Sequence, residues 1–389
     1  MTLDMLKVSP QVVRMGGDLA ERFALLGPRL AQARAALEER AADWQALADV
    51  AAASKRRLAV PLEPLDTRHP PSVVPRDHIV IATDGSQIEP DRHGPVDFFL
   101  LNVGWVVIRY GAAPFAELAS EPRLRYGPDQ TYITYQDRRV PIQDHLLAAT
   151  RAGDEIGKAA DLAAIWSADG LPTVVLADGT LLLWVMEDRP NDFLRTELVG
   201  AYVEGLDRIQ VEGVPVASYI SRSRSTEVSG LLLESDRRGD LGRCVPCAAD
   251  DDENCVFDRL PDRELFRDLA IGERSGLFAM TLPDGLKSLY RDHAPCFFYV
   301  NVGSEIGRVE VPAWMADDPE ALGLVQTVIL DQCQKGLGYP NALARAHEQA
   351  VVSGQDRLAF DYLVENVLAR QGVPARSSEK QHSKRVRAV

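Results

Sequence analysis

The sequence predicts an α/β or α+β fold built on a mixed sheet. Short β-branched apolar runs alternate with amphipathic helical stretches, two of those runs finish in Asp-Gly, and a proline-dense stretch sets off the first sixty residues. With 389 residues, 46% hydrophobic and 26% charged, the chain can bury a large core and is too apolar for global disorder.

The elements follow in order. Between Pro10 and Ala53, Leu19, Phe23, Leu26, Leu30, Ala33, Leu37, Ala41, Trp44 and Leu47 recur at steps of three and four, a helical stripe. Pro28 removes an amide donor and crowds the preceding turn, so two helices or one bent helix are expected. Residues 61–76 hold prolines at 61, 64, 70, 71 and 75 and read as an extended linker at a domain boundary. His78-Ile79-Val80-Ile81-Ala82 is a short strand ending in Thr83-Asp84-Gly85-Ser86, and 98–111 a second, buried strand. A helix over 142–166 leads into a strand over 172–177 that again finishes in Asp178-Gly179. Strands over 214–221 and 296–303 and helices over 320–336 and 341–370 complete the pattern. The expected organisation is a helical extension and linker (1–75), one main domain (76–370) and a disordered tail (371–389) carrying Lys380, Lys384, Arg385 and Arg387.

Charge and targeting signals bound the function. A net charge of −14 repels a polyanion, so bulk charge does not advertise nucleic-acid binding. A site of clustered carboxylates neutralised by metal, or a partner that holds DNA, reconciles the two. No basic segment followed by an apolar run opens the chain, and no stretch nears ~18 consecutive apolar residues. A cytoplasmic protein with no membrane partner is expected, its five cysteines thiols by default.

The candidate chemistry lies in four places. Hard cations such as magnesium and manganese take oxygen ligands, and a two-metal site needs several converging carboxylates. Asp84 and Asp178 each follow an apolar strand and precede a glycine that lets the chain turn, which suits acids at the carboxyl ends of neighbouring strands. One Asp-Gly is an ordinary turn dipeptide; two on strongly apolar strands are less easily dismissed. Glu155, in RAGDEIGKAADLA, precedes the second strand, with Asp154 and Asp161 competing for its role. His347 follows Tyr339-Pro340, a helix-opening pair, and suits a metal ligand, an acid/base group or simple packing.

Six segments, ATDGS (82–86), RAGDE (151–155), VVLADGT (174–180), YISRSRSTEV (219–228), FFYVNVG (297–303) and GYPNALARAHEQA (338–350), resemble the NurA family of DNA nucleases, in order, through most of residues 78–365. The resemblance implies a ribonuclease-H-like mixed sheet flanked by helices, here with an N-terminal helical extension. It further implies Mn2+ or Mg2+ bound by Asp84, Glu155, Asp178 and His347, with Tyr339 at the family's active-site tyrosine position. The second Asp-Gly is usually followed by Ser in the family; Thr180 stands there and keeps a hydroxyl. Family members act on DNA as homodimers with a HerA-type hexameric ATPase, trimming ends in double-strand break repair. The chain carries no Gly-x-x-x-x-Gly-Lys-Ser/Thr loop, so ATP hydrolysis would come from the other subunit. The N-terminal helices and the tail are the expected docking segments. The rival readings are a non-catalytic adaptor of that ATPase and a small-phosphoester hydrolase with the same carboxylate chemistry.

Two further features stand outside those segments. Arg222 and Arg224 in SRSRS are candidate phosphate contacts, since guanidinium pairs bidentately with phosphate oxygens. Cys244-x-x-Cys247 with Cys255 suggests structural zinc or an iron–sulfur cluster, completed by Cys296, Cys333 or His293, or else unligated thiols. The acidic run 250–253 lacks the alternation and glycine of a calcium loop.

Overall fold

The computed structural model describes residues 4–90, 97–135, 138–183, 192–238, 257 and 259–373. Contacts divide the chain into two units, one of Pro71–Ile220, Leu282–Pro295 and Val309–Val389, the other of Met1–Pro70, Ser221–Thr281 and Cys296–Arg308.

The first of these units is built on five strands, numbered here in chain order: β1 His78–Ile88, β2 Phe98–Tyr110, β3 Phe115–Tyr126, β4 Thr173–Asp178 and β5 Val216–Ile220. Their spatial order is β3-β2-β1-β4-β5. β1, β2 and β3 form an antiparallel meander, and β4 and β5 continue parallel to β1. This is the ribonuclease-H-like arrangement, a mixed α/β fold. The first six residues of β1 and first four of β4 are buried on both faces, which is why HIVIA and TVVL read as unbroken apolar runs. β3 eluded the periodicity because its alternation is charged: Glu117, Glu121, Arg123 and Arg125 line one face of an edge strand, where Pro122 is tolerated.

Helices cover both faces. His145–Trp166 packs on β1, β2 and β4 and is itself covered by Asp192–Val211. Gly205 lets those two helices approach, since a Cβ there would lie 2.7 Å from Ile156 Cγ2. Asn341–Ala350 packs on β1 and β2 at Gly104, where a Cβ would lie 2.4 Å from the Ala350 amide nitrogen. Asn102 Nδ2 donates to Ala350 O at 2.8 Å, tying the end of that helix to β2. The single helix expected over 341–370 is two: Asn341–Ala350 stops before Val351, and Ser353 opens Gly354–Arg370 with a reciprocal capping box to Asp356.

In the other unit, the helix Met5–Glu39 runs straight through Pro10 and Pro28. The break expected at Pro28 falls instead at Ala41–Asp43, before the helix Trp44–Ala52. Pro28 itself is exposed, whereas Arg40, at the observed break, is buried against Asp236. The proline-rich stretch is not wholly an extended linker either. Ala59–Pro61 pairs with Phe278–Met280, and Arg68–His69 with Arg274–Ser275; short antiparallel ladders accept prolines at an edge or end. Among the described residues no helix is long and apolar enough to cross a membrane. Residues 374–389 of the basic tail lie outside the described residues.

Candidate active site

Parallel register brings the two Asp-Gly aspartates together. The last paired residues of β1 and β4 are Thr83 and Ala177, so Asp84 and Asp178 follow side by side, one strand spacing (about 4.8 Å) apart and on the same face. The expected turn at Asp84-Gly85 does not occur, for β1 continues to Ile88; only Gly179, at φ +78°, turns the chain. Gly85 serves a different purpose. Its missing side chain would point to the opposite face, where a Cβ would lie 2.3 Å from Glu155 Oε1 and 2.8 Å from Arg151 Cγ. Glycine is the residue that leaves room for the Glu155 carboxylate beside the β1 backbone.

Each candidate side chain has a neighbour that holds it. His347 Nδ1 is 2.7 Å from Asp84 Oδ2, and the Gly85 amide donates to Asp84 Oδ1 at 2.8 Å. Tyr339 donates its hydroxyl to Asp178 Oδ1 at 2.7 Å, its ring edge-on to buried Tyr219 on β5. Burial, then the carboxylate of Asp178, raises the Tyr339 hydroxyl above the usual phenol range, so it remains a donor. Arg151, one turn before Glu155, brings Nε to 3.0 Å from Glu155 Oε1, yet neither buried atom has a hydrogen bond. Glu155 is 22% exposed. Burial pushes its carboxyl up to about 8, with Arg151 opposing and the charges of Asp84 and Asp178 adding to the rise. The charges of Asp84 and Asp178 thus disfavour ionisation of Glu155, and the guanidinium of Arg151 favours it.

Among the described residues no three acidic, histidine or cysteine side chains stand close enough together to hold a metal ion. The donor set nevertheless fits a hard divalent ion: carboxylate oxygens, a buried Glu155 Oε1 lacking a hydrogen bond, and a cradle at Gly85 that any Cβ would fill.

The NurA domain model matches residues 78–352. This chain belongs to the NurA family. Solved structures similar to it include one described as the crystal structure of NurA, at 13% identity over 82% of this chain and 94% of that one, with a TM-score of 0.35. Thermus thermophilus RuvC is another, at 13% identity over 46% of this chain and 80% of that one, with a TM-score of 0.16. No curated protein matches the sequence.

Within this NurA-family chain the acids that competed with Glu155 are engaged elsewhere: Asp154 with Arg125 at 3.3 Å and Arg123 at 3.5 Å, Asp161 with Arg208. Arg222 and Arg224 belong to the other unit. Cys244, Cys247 and Cys255 lie outside the described residues; Cys296 and Cys333 are buried without a disulfide, and His293 is buried with Nε2 2.8 Å from Asp207. Two residues escaped the sequence reading. Arg151 had a signal, its i,i+4 spacing to Glu155. Glu310, buried at 1% exposure, accepts from Thr180 Oγ1 at 2.7 Å and the Leu181 amide at 3.0 Å, and so clamps the turn that follows Asp178. Nothing local in VEVP marks that glutamate, because its partners lie 129 and 130 residues away.

Proposed function

We propose that this chain is a divalent-metal-dependent DNA nuclease, with Mn2+ or Mg2+ held by Asp84, Glu155, Asp178 and His347. The observation that carries the reading is the parallel register that sets Asp84 of β1 beside Asp178 at the end of β4, with His347 on Asp84 and the Glu155 carboxylate across the β1 backbone at Gly85. A bound cation would offset the charges of Asp84 and Asp178 that, with burial, resist ionisation of Glu155. Bound ions would activate a water and offset charge developing on the phosphate.

The chain's own residues have distinct tasks. His347 holds Asp84 Oδ2 through Nδ1, leaving its second ring nitrogen either to ligate the cation or to exchange a proton with substrate. Tyr339 fixes the rotamer of Asp178, and Glu310 holds the following turn. Arg151 lies against Glu155 and would compete with a bound cation for its carboxylate. His347 is 69% exposed, which suits access by a polymer. Family membership further supports action as a homodimer with a HerA-type hexameric ATPase, trimming DNA ends for double-strand break repair.

The test is cleavage of end-labelled single- and double-stranded DNA with Mn2+, Mg2+ or EDTA. Asp84→Asn should lower metal-dependent cutting by about three orders of magnitude, because one ligand and one neutralising charge are lost. His347→Ala should lower it less. Cutting that persists in EDTA, or none even with the partner ATPase present, would overturn the proposal.

A further inference from the structure

The unit that does not hold the carboxylates has an unusual surface for a chain of net charge −14. Two adjoining clefts of about 490 and 390 Å3 share Arg263 as a common wall. Between them they are lined by Arg56, Arg222, Arg224, Arg259, Arg263 and Arg267, against two glutamates, Glu264 and Glu305. Counting also Glu234, 3.8 Å from Arg56, the described residues here still carry three more positive than negative charges, against the background of an acidic protein. Every basic side chain lining the clefts is arginine, the residue whose planar fork matches phosphate oxygens.

The arginines are presented by a braced loop. Arg263 donates to the carbonyl oxygens of Arg222 and Ser223 at 2.6 and 3.1 Å, which fixes the segment carrying Arg222 and Arg224. Buried Asp262 accepts from the Val228 and Ser229 amides and the Tyr299 hydroxyl, and Arg308 pairs with Glu227 and Ser225 behind the same segment. Arg222 and Arg259 sit at φ +46° and +48°, a conformation that costs on the order of 1 kcal/mol each unless the surroundings impose it. Arg222 is 87% exposed, with Glu305 no closer than 3.9 Å, and Glu264 serves both Arg263 and Arg267. Arg222 and Arg224 are therefore presented on a braced loop with exposed side chains, beside Arg263 and Arg267 that share Glu264.

We infer that these paired clefts form a second nucleic-acid contact, binding the phosphodiester backbone of a DNA strand without metal and without reading bases. The inference rests on the nucleic-acid reading above. Two clefts joined at Arg263 fit a ligand with repeating anionic charge better than a lone phosphate. Small-molecule pockets are mostly apolar, and this lining is not.

The experiment measures binding of a fluorescein-labelled DNA strand by anisotropy in EDTA, between 50 and 200 mM salt, with the full chain. Arg222→Glu/Arg224→Glu should weaken binding about tenfold or more and flatten the log Kd against log salt slope by roughly 1 to 2. Both side chains are exposed, so the melting temperature should stay unchanged. Lys7→Glu/Arg14→Glu, the same charge change on an exposed helix of the same unit, serves as control and should leave the slope unaltered. Equal affinity and slope in the two double variants would overturn the inference. So would a loss of poly-glutamate binding with none for DNA, which would assign the clefts to an acidic protein segment. Because no cleavage occurs in EDTA, unchanged binding beside Asp84-dependent cutting sinks this inference alone. Arginine-dependent binding without any cutting sinks the nuclease reading alone.

Discussion

Replacing Glu155 by glutamine should make the metal-free protein more stable at alkaline pH, although a charge pair is lost. The carboxyl titrates near 8 in the fold against 4.5 for the free side chain. Its folded-state affinity for a proton exceeds that of the unfolded chain, so stability is unaffected below about pH 4.5, falls as pH rises, and reaches its full deficit above pH 8. The gap corresponds to nearly 5 kcal/mol at most. That shift already contains the attraction to Arg151; allowing for 22% exposure, on the order of 3 kcal/mol remains. In EDTA at pH 8.5, Glu155→Gln should melt about 5 °C above the parent, and the two should coincide near pH 4.5. Adding Mn2+ at pH 7.5 should raise the parent's melting point more than the variant's, because only the parent offers the carboxylate. Differential scanning fluorimetry across pH 4.5 to 9 reads all three effects. A pH-independent gap, or a variant less stable at pH 8.5, would refute the claim that Glu155 is an electrostatically strained ligand.

Gly85 and Gly104 should separate function from stability. Gly85→Ala meets the end of a flexible side chain, Glu155 Oε1, so DNA cutting should fall about 100-fold with a stability loss under about 1 kcal/mol. Gly104→Ala meets the backbone of the His347 helix, 2.4 Å from Ala350 N and 2.7 Å from Ala346 O, and should cost about 2–4 kcal/mol in urea unfolding. Comparable stability losses in the two variants would contradict this geometry. Thr180→Val leaves buried Glu310 short of one donor and should cost about 1–3 kcal/mol while lowering turnover more than substrate affinity; Thr180→Ser should restore both.

The sequence by itself determined the central strands, the aspartates at 84 and 178 and the family. HIVIA and TVVLA are buried on both faces, and burial of that kind must be written as continuous apolar residues. It was silent on β3, whose alternation is charged, and misleading at Asp84-Gly85, where a turn dipeptide sits within a strand. Local pattern reports what a segment needs from its own neighbours, and a glycine required by a glutamate 70 residues later leaves no local trace. Tertiary structure alone decided that arginines on β3 and on the helix Asp192–Val211 claim Asp154 and Asp161, while Glu155 lies against Arg151 beside the β1 backbone at Gly85. The same holds for Glu310 behind Thr180 and for the five arginines around Arg263. Those groupings exist only once strand register and helix packing have set which distant residues share a few ångströms of space.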